Sequence, residues 1–222
     1  MVRVHVLVEG QTEETFVHRV LRSHFWPLGI YPCPRQLGKP GHRTGIVDYP
    51  RARGDILTTM REDAESFCTT MFDYYGMPSS WPGREAARQK PFVQKPVTIE
   101  QAILADISTE LGGEPDFRRF IPYVQMHEFE ALLFSDPKHL ADGLGLKDDS
   151  EVQRIRREFP SPEEINDSSQ TAPSKRIKRL SASYDKVADG YLISQSIGLP
   201  VIRDQCPHFD EWIRRLEALT SG

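Results

Sequence analysis

The stretch VRVHVLVEGQTEE, residues 2–14, decides the fold expected for this chain. Valine occupies every second position of residues 2–8, and β-branched residues at a period of two are typical of a β-strand. Only Arg3 and His5 are polar in that run, which indicates a strand in the interior of a sheet. Gly10 interrupts the pattern, and the glutamates that follow suit the first turn of a helix, where acidic side chains interact favourably with the helix dipole. The chain is therefore predicted to open as strand, tight turn and helix.

Apolar runs and helical periodicities alternate along the rest of the first 134 residues. This alternation predicts an α/β fold, a mainly parallel sheet flanked by helices. The pattern after Asp149 is mostly helical, which predicts a helical C-terminal extension. We expect a single domain over residues 1–222, with a core of about 1–134 and an extension of about 135–222. The further strands are predicted at 30–33, 67–72 and 120–126, and the further helices of the core at about 55–65, from a capping box at Thr98, and at 128–134.

Composition limits the class of protein. Of the 222 residues, 27% are charged and 38% hydrophobic, which is the balance of a globular protein. No stretch approaches the roughly 18–20 apolar residues of a membrane span, and the first residues lack a signal-peptide cleavage site. Three widely spaced cysteines argue against a disulfide scaffold or a zinc knuckle. We therefore expect a cytoplasmic protein.

The net charge of −4 excludes a protein that binds nucleic acid through a basic surface overall. A nucleic-acid role would need a local basic surface, a metal ion or a partner protein. Two basic clusters could provide such a local basic surface, or they could be the solvated faces of loops and helices. The first lies between residues 35 and 53 (Arg35, Lys39, His42, Arg43, Arg51 and Arg53), and the second comprises Lys175, Arg176, Lys178 and Arg179.

Acidic residues follow the predicted strands at the point where each strand ends. They are Glu9, Asp73 and Glu128, with Glu130 close behind. The carboxyl ends of parallel strands meet at one edge of a sheet, where carboxylates repel one another unless a cation neutralises them. Oxygen-rich groups suit Mg²⁺ or Mn²⁺, and the matching chemistry is phosphoryl transfer or phosphodiester hydrolysis. The alternative is that Glu9 and Asp73 only cap the helices or turns that follow them.

Several segments resemble known proteins. Residues 8–13, VEGQTE, resemble the first motif of Toprim domains, in the form used by the overcoming-lysogenisation-defect (OLD) nucleases. Other segments resemble a family of small Toprim-like proteins of unknown function, DUF4276. The resemblance spans nearly the whole chain and implies a Toprim-like fold. The segments are MFDYYG at 71–76, VQMHEFEALLF at 124–134, TAPSKRI at 171–177 and CPHF at 206–209.

The resemblance implies roles for individual residues. The Toprim glutamate falls on Glu9, a metal ligand or general acid/base in relatives, and the first aspartate of the Asp-x-Asp motif falls on Asp73. The second aspartate position is Tyr75, which departs from a standard two-metal arrangement. Either Glu128 or Glu130 supplies the missing carboxylate, or the site has lost metal chemistry. Residues two apart do not share a helix face, so both could point into the site only if the local geometry permits.

Basic residues and a histidine complete the predicted site. His127 could position a water molecule or a phosphate, or could bond only to neighbouring backbone. Lys175 and Arg176 follow Pro173, which could start a helix, and helix N-termini attract anions. We predict catalytic roles for His127 and Lys175, and phosphate binding by Lys175, Arg176 and Arg203. The alternative for the lysine and its neighbour is a basic surface face.

The function expected from these residues is a Mg²⁺- or Mn²⁺-dependent nuclease, or another phosphodiester-processing enzyme, with DNA or tRNA as its substrate. The resemblance implies an effector in anti-phage defence, with an AAA- or ABC-type ATPase as a possible partner. The alternative is a non-catalytic Toprim-like subunit that binds and regulates such an ATPase. Tyr75, at the second aspartate position, favours this alternative.

Overall fold

A computed structural model describes residues 1–38, 47–112, 116–165, 168 and 170–220. Its strands are β1 (Val2–Val8), β2 (Ile30–Gln36), β3 (Phe67–Asp73), β4 (Phe120–Ile121) and β5 (Val124–Gln125). They form a sheet in the order β2-β1-β3-β4, and β5 pairs with β3 past the end of β4. Every pairing of the described strands is parallel, which confirms the predicted mainly parallel sheet.

β1 lies inside the sheet, as its sequence predicts. Val4 and Val6 are buried in one apolar layer, while Leu7 is buried in the opposite layer. Alternate side chains of a strand point to opposite faces, so helices must cover both faces to bury them. β2 contacts only β1 among the described strands, and this edge position accommodates Pro32 and Pro34, which cannot donate ladder hydrogen bonds.

Helices cover both faces of the sheet. A π-helical turn (Val17–Leu21) joins the first two helices, and the 3₁₀ helix Phe129–Ser135 follows β5. The α-helices are α1 (Gln11–Phe16), α2 (Arg22–Phe25), α3 (Tyr49–Glu62), α4 (Arg84–Arg88), α5 (Lys95–Glu110), α6 (Pro137–Gly143), α7 (Ser150–Arg157), α8 (Pro173–Leu180), α9 (Ala188–Ile197), α10 (Leu199–Gln205) and α11 (Pro207–Glu217).

The helix predicted at about 55–65 instead spans Tyr49–Glu62. Two further local predictions are wrong, and prolines explain both. The predicted capping box at Thr98 does not start a helix, because α5 begins at Lys95 with Pro96 in its first turn. The Thr98 hydroxyl donates to the Gln94 carbonyl at 2.7 Å, one turn back. The single strand predicted over 120–126 is instead two short strands, β4 and β5. Pro122 lies between them and has no N–H to donate to a ladder.

The C-terminal helices cover the same sheet face as the helices after β1. Ile177, Ile193 and Ile202 are buried in the apolar layer that contains Val4, on the face opposite α3 and α5. In the same layer, the indole N–H of Trp212 donates to the Thr69 hydroxyl on β3 at 2.9 Å. The predicted helical C-terminal part is thus confirmed, and its separation from a core at residue 134 stays a prediction.

Within the described ranges, no helix combines the length and the apolar composition that crossing a membrane requires.

Candidate active site

The strand order places the ends of β1 and β3 next to each other. From β1 the chain continues to β2, which pairs with one side of β1, whereas β3 pairs with the other side of β1. In open α/β sheets, ligands bind in the crevice outside such a pair of strand ends. Glu9 follows β1 directly, and Asp73 is the last residue of β3. The backbone N–H of Asp73 donates to Glu9 Oε1 at 2.7 Å, so the structure brings these two predicted site residues together.

β5 brings two more carboxylates to this edge of the sheet. Asp73 pairs with Gln125, so the residues after β5 emerge beside Asp73. His127 has a φ of 59°, in the left-handed region that residues other than glycine rarely adopt, and the chain turns there. Glu128 is extended just before the 3₁₀ helix, whereas Glu130 lies within it. Residues two apart within one helix do not share a face, but Glu128 lies outside the helix, so this restriction does not apply. The negative charges of Glu128 and Glu130 both act on Asp73.

Glu128 is held by the first turn of α8. The backbone N–H of Ser174 donates to Glu128 Oε2 at 2.9 Å, and the Ser174 hydroxyl donates to Oε1 at 3.0 Å. The first N–H groups of a helix have no partner within the helix, so a carboxylate is a suitable acceptor for them. Lys175 follows Ser174 directly and is exposed. It therefore lies at the margin of the group formed by Glu9, Glu13, Asp73, Glu128 and Glu130, which we call the acidic cluster.

Two residues of the cluster were not predicted as site residues. Glu13, in the first turn of α1, is buried and is subject to the negative charge of Glu130. Lys186, in the loop before α9, lies with its Nζ 2.8 Å from Glu130 Oε1. The four-residue spacing from Glu9 to Glu13 is a signal that could have indicated the first of these. No sequence pattern marks Lys186.

Burial and mutual repulsion raise the pKa values of the acids. For Glu9, burial is the main cause and the charge of Glu13 the next, and together they hold its pKa well above the usual range. Burial likewise raises the pKa of Asp73 well above its usual range, with the charge of Glu9 adding to it. Burial raises the pKa of Glu130, although Lys186 opposes the shift. Burial lowers the pKa of Lys186, but the attraction of Glu130 together with the charges of Glu128 and Asp73 outweighs it and leaves that pKa raised.

A cleft of about 360 Å³ opens over these acids. Asp73 Oδ1 is buried and, within the described residues, has no hydrogen-bond partner. A carboxylate oxygen left in this state costs free energy unless a ligand, a water molecule or a proton satisfies it. The residues that line the cleft are Glu9, Gly10, Gln11, Thr12, Glu13, Asp73, Lys186 and Val187.

The donor set fits a hard divalent cation. Mg²⁺ is typically held by one or two carboxylates, with water and substrate phosphate completing its coordination. Glu9 and the free oxygen of Asp73 meet that requirement. No three His, Cys, Asp or Glu side chains of the described residues converge as a complete metal-binding group.

The other predicted site residues have different surroundings. The ring of His127 packs edge-on against Tyr74, at 5.8 Å between centroids, and contacts Phe92 at 5.9 Å. Arg176 donates from Nε to the Thr171 carbonyl at 2.8 Å. His127 directly precedes Glu128 in the sequence, but its ring packs against Tyr74, in the apolar layer of α4 and α5. The predicted roles of His127 and Arg176 stay predictions.

Arg203 lies in a separate ion-pair network. Its Nε donates to Asp210 Oδ1 at 2.5 Å, and its Nη1 donates to Glu217 Oε1 at 2.6 Å. It lines a pocket with His24 and Leu199, none of which lines the cleft over the acids. Two carboxylates therefore already occupy its guanidinium, and its predicted phosphate-binding role stays a prediction without a contact to the acidic cluster.

Carboxylates form ion pairs with the described arginines of the first basic cluster. Arg35 pairs with Glu62, and Arg51 pairs with Asp55. Arg53 contacts both Asp106 and Glu110 at 2.7 Å. Lys39, His42 and Arg43 lie outside the described residues.

Comparisons with known proteins come from family models, curated proteins and solved structures. The search of curated proteins found no match. Among solved structures, the chain is similar to the C-terminal region of the Burkholderia pseudomallei OLD protein, with 14% identity, a TM-score of 0.45, and coverage of 97% of this chain and 98% of the other. The family model described as a domain of unknown function, DUF4276, matches residues 8–217. The match confirms the resemblance to DUF4276 found in the sequence, and the chain belongs to the DUF4276 family.

Proposed function

We propose that this protein is a Mg²⁺- or Mn²⁺-dependent phosphodiester-processing enzyme, in particular a nuclease. One observation carries the proposal. Acidic side chains from four elements gather outside the ends of β1 and β3, where burial and repulsion raise their pKa values. A protein that needed these groups only for stability would have no reason to collect them, since unpaired buried carboxylates destabilise a fold.

Glu9 and Asp73 would hold the cation, with Glu13, Glu128 and Glu130 around them. The ion supplies the positive charge that polarises a phosphate and activates water for attack. The protein's own groups prepare the site. The Asp73 N–H fixes the Glu9 carboxylate, and Ser174 fixes that of Glu128. The raised pKa values mean that these acids hold protons more tightly than free carboxylates do, and a bound cation would favour the release of those protons.

Lys186 would keep Glu130 ionised. Its ammonium group is half-exposed and faces both the carboxylate and the cleft, so it could also contact a phosphate oxygen. Lys175 is a further phosphate-binding candidate, because it adjoins Ser174 at the rim of the cluster. A role in anti-phage defence, DNA or tRNA as the substrate, and an AAA- or ABC-type ATPase partner complete the proposal. The support for these parts is the resemblance of the sequence segments.

Cleavage assays test the proposal. Plasmid DNA and tRNA are incubated with the protein and Mg²⁺ or Mn²⁺, and the products are resolved on gels. Loss of one transition-state contact costs about 10²–10³-fold in rate, and we expect at least that for Glu9→Gln and Asp73→Asn. Glu14→Gln is the matched control, because Glu14 is also in α1 but accepts from Gln36 outside the cleft. Equal rates in wild type and Glu9→Gln would reject the proposal.

A second candidate function is a non-catalytic subunit that regulates an ATPase. Tyr75, in the second aspartate position, favours it, because a phenol replaces a hard carboxylate ligand there. Calorimetric titration with Mn²⁺ discriminates between the candidates. Absence of binding at millimolar Mn²⁺, together with stable association with an ATPase, would favour the regulatory subunit.

A further inference from the structure

A second cleft opens at the same edge of the sheet, on the opposite face. Asp73 ends β3, and the next residue, Tyr74, remains aligned with β5 through its N–H, which donates to the Gln125 carbonyl at 2.9 Å. Successive side chains of an extended chain point to opposite faces. Asp73 therefore lines the acidic cleft, whereas Tyr74 lines a cleft of about 420 Å³ in the layer of α4 and α5.

This second cleft is basic. Arg84, Arg88 and Lys95 line it together with Tyr74, and no acidic residue does so. The Arg84 guanidinium lies 3.8 Å from the centre of the Tyr74 ring, and its Nη1 donates to the Tyr74 hydroxyl at 2.7 Å. Its Nε is buried and, among the described residues, has no hydrogen-bond partner. A buried guanidinium N–H in this state lacks an acceptor that an anion could provide. Met77 and Ser79 complete the lining.

The backbone holds these cations in place. Gly83 precedes Arg84 and has a φ of +76°, and a Cβ at this position would lie 2.6 Å from the Thr98 carbonyl oxygen. The segment therefore fits tightly against α5, the helix that begins with Lys95. A rigid backbone reduces the entropy that would be lost when these side chains bind a ligand.

The cations of this cleft differ from several other arginines of the described residues. Arg53 and Arg154 each contact two carboxylates. In the described part of the chain, no carboxylate forms an ion pair with Arg84 or Lys95. Arg88 contacts only Glu85, at 3.3 Å, and both side chains are about two-thirds exposed. Such an exposed pair contributes little and can readily exchange for another anion.

We infer that Arg84, Arg88 and Lys95 bind the phosphate backbone of a nucleic acid. The inference rests on the proposed function for its choice of anion, because phosphodiester is the anion that the acidic cleft would process. Phosphate contacts position a nucleic acid without reading its sequence. These cations lie on one face of the sheet and the acidic cleft lies on the other, at the same edge. One strand of a nucleic acid that passes the ends of β3 and β5 would contact both. This local basic surface also reconciles a nucleic-acid substrate with a net charge of −4.

Binding measured without divalent metal tests the inference separately from catalysis. Fluorescein-labelled tRNA and a labelled 30-base-pair DNA duplex are titrated with protein in EDTA, and the anisotropy gives Kd at several salt concentrations. We expect the double variant Arg88→Gln/Lys95→Gln to raise Kd of the preferred probe about tenfold and to lower the slope of log Kd against log salt by about two. The matched control Lys90→Gln/Lys147→Gln removes the same charge outside the cleft and should change Kd less than about twofold.

Several outcomes would overturn the inference. These are no binding of either probe by wild type, equal Kd values in the cleft and control variants, or displacement of the probe by poly-glutamate as readily as by unlabelled nucleic acid. A third double variant, Arg88→Lys/Lys95→Arg, should restore affinity if charge rather than folding is the cause. Nucleic-acid binding without cleavage would leave this inference standing while the nuclease proposal fails. Cleavage with equal affinity in the cleft and control variants would do the reverse.

Discussion

Two groups of ionisable residues differ in how completely their hydrogen bonds are satisfied. At the junction of α5 and α11, Glu100 Oε1 accepts from the Val124 N–H at 2.8 Å and from His208 Nε2 at 2.9 Å. Glu163 accepts from the N–H groups of His208 and Phe209, both at 3.0 Å. We call these residues the junction cluster. Each of its carboxylates has two donors.

The acidic cluster of Glu9, Glu13, Asp73, Glu128 and Glu130 is less completely satisfied. Asp73 Oδ1 has no donor within the described residues, and Lys186 alone among the lysines and arginines of that part pairs with the cluster. The difference indicates a division of roles. A satisfied buried pair ties elements together, whereas an unsatisfied group of like charges is retained for a ligand.

The largest expected effect is the loss of a junction residue. Glu100→Ala should lower the free energy of unfolding by about 3–5 kcal/mol, because it leaves His208 and the Val124 N–H without their acceptor. Urea denaturation of wild type and variant measures the change. Glu100→Gln is the control, since its amide oxygen can still accept these bonds, and it should cost less. A loss below about 1 kcal/mol for Glu100→Ala would remove the distinction between the two clusters.

The next effect concerns the acidic cluster and a bound cation. At a hundredfold excess over Kd, Mn²⁺ should stabilise the wild type by about 2–3 kcal/mol. Asp73→Asn should keep or raise the metal-free unfolding midpoint, because it removes a repelling charge, and should reduce the upward shift caused by Mn²⁺. Differential scanning calorimetry with and without Mn²⁺ gives both quantities. An unchanged Mn²⁺ response in the variant would remove Asp73 from the metal site.

The sequence predicted that Glu9 and Asp73 meet, because their positions depend on the periodicity of strands. The valine alternation in residues 2–8 and the strand ending at Asp73 placed two carboxylates at one edge, because parallel strands align their carboxyl ends. The position of Lys186 could not be predicted, since it depends on how a C-terminal loop packs over a cluster far away in sequence. The turn at His127 depends on a left-handed backbone conformation that no residue of the segment requires.

The junction cluster and the basic cleft escaped prediction for a similar reason. His208 and Glu100 are 108 residues apart, and only the packing of α11 on α5 joins them. Arg84 and Lys95 come together because Gly83 and α4 pack closely against α5, the helix that begins with Lys95. Tertiary packing of this kind leaves no local periodicity in the sequence.

The third effect is a pH dependence that separates the two clusters. A raised pKa in the folded state means that Asp73 and Glu9 bind protons more tightly there, so stability falls as pH rises from about 4 toward the folded pKa values. Burial lowers the pKa of His208, but the hydrogen bond to Glu100 and the negative charges of Glu100, Glu163 and Glu211 together outweigh it and leave the pKa raised. Its contribution is complete below about pH 6.5 and is lost as pH rises through the folded pKa.

The raised pKa of Glu163 and the lowered pKa of His5 affect wild type and Asp73→Asn alike, so the difference between these two proteins from pH 5 to 6.5 reports on the acidic cluster. We expect metal-free wild type to lose about 1–2 kcal/mol over that interval, and Asp73→Asn to lose clearly less. His208→Gln should leave this interval unaffected and flatten the curve above pH 6.5. Denaturation curves at half-unit pH steps in EDTA provide the test. Equal changes of stability from pH 5 to 6.5 in wild type and Asp73→Asn would contradict the raised pKa of Asp73.

The smallest effect compares two adjacent glutamates of α1. Both follow the same strand, but Glu13 is buried in the acidic cluster, while Glu14 accepts from the Gln36 amide outside it. Burial raises the pKa of Glu13, and the charge of Glu130 adds to it, so its ionised form destabilises the metal-free fold. Glu13→Gln should therefore stabilise the metal-free protein by up to about 1 kcal/mol at pH 7.5. Glu14→Gln should change stability by less than about 0.5 kcal/mol.

The same pair of variants also distinguishes repulsion from helix-dipole stabilisation. If Glu13 mainly stabilised the N-terminus of α1, its neutralisation would destabilise the protein, as it would for any acid in a first helical turn. The repulsion predicts the opposite sign and predicts that the gain disappears near pH 4.5, where the wild-type carboxyl is protonated. Urea denaturation of both variants at pH 4.5 and 7.5 in EDTA measures these signs. A destabilised Glu13→Gln at both pH values would assign Glu13 to the helix and leave the acidic cluster with four carboxylates.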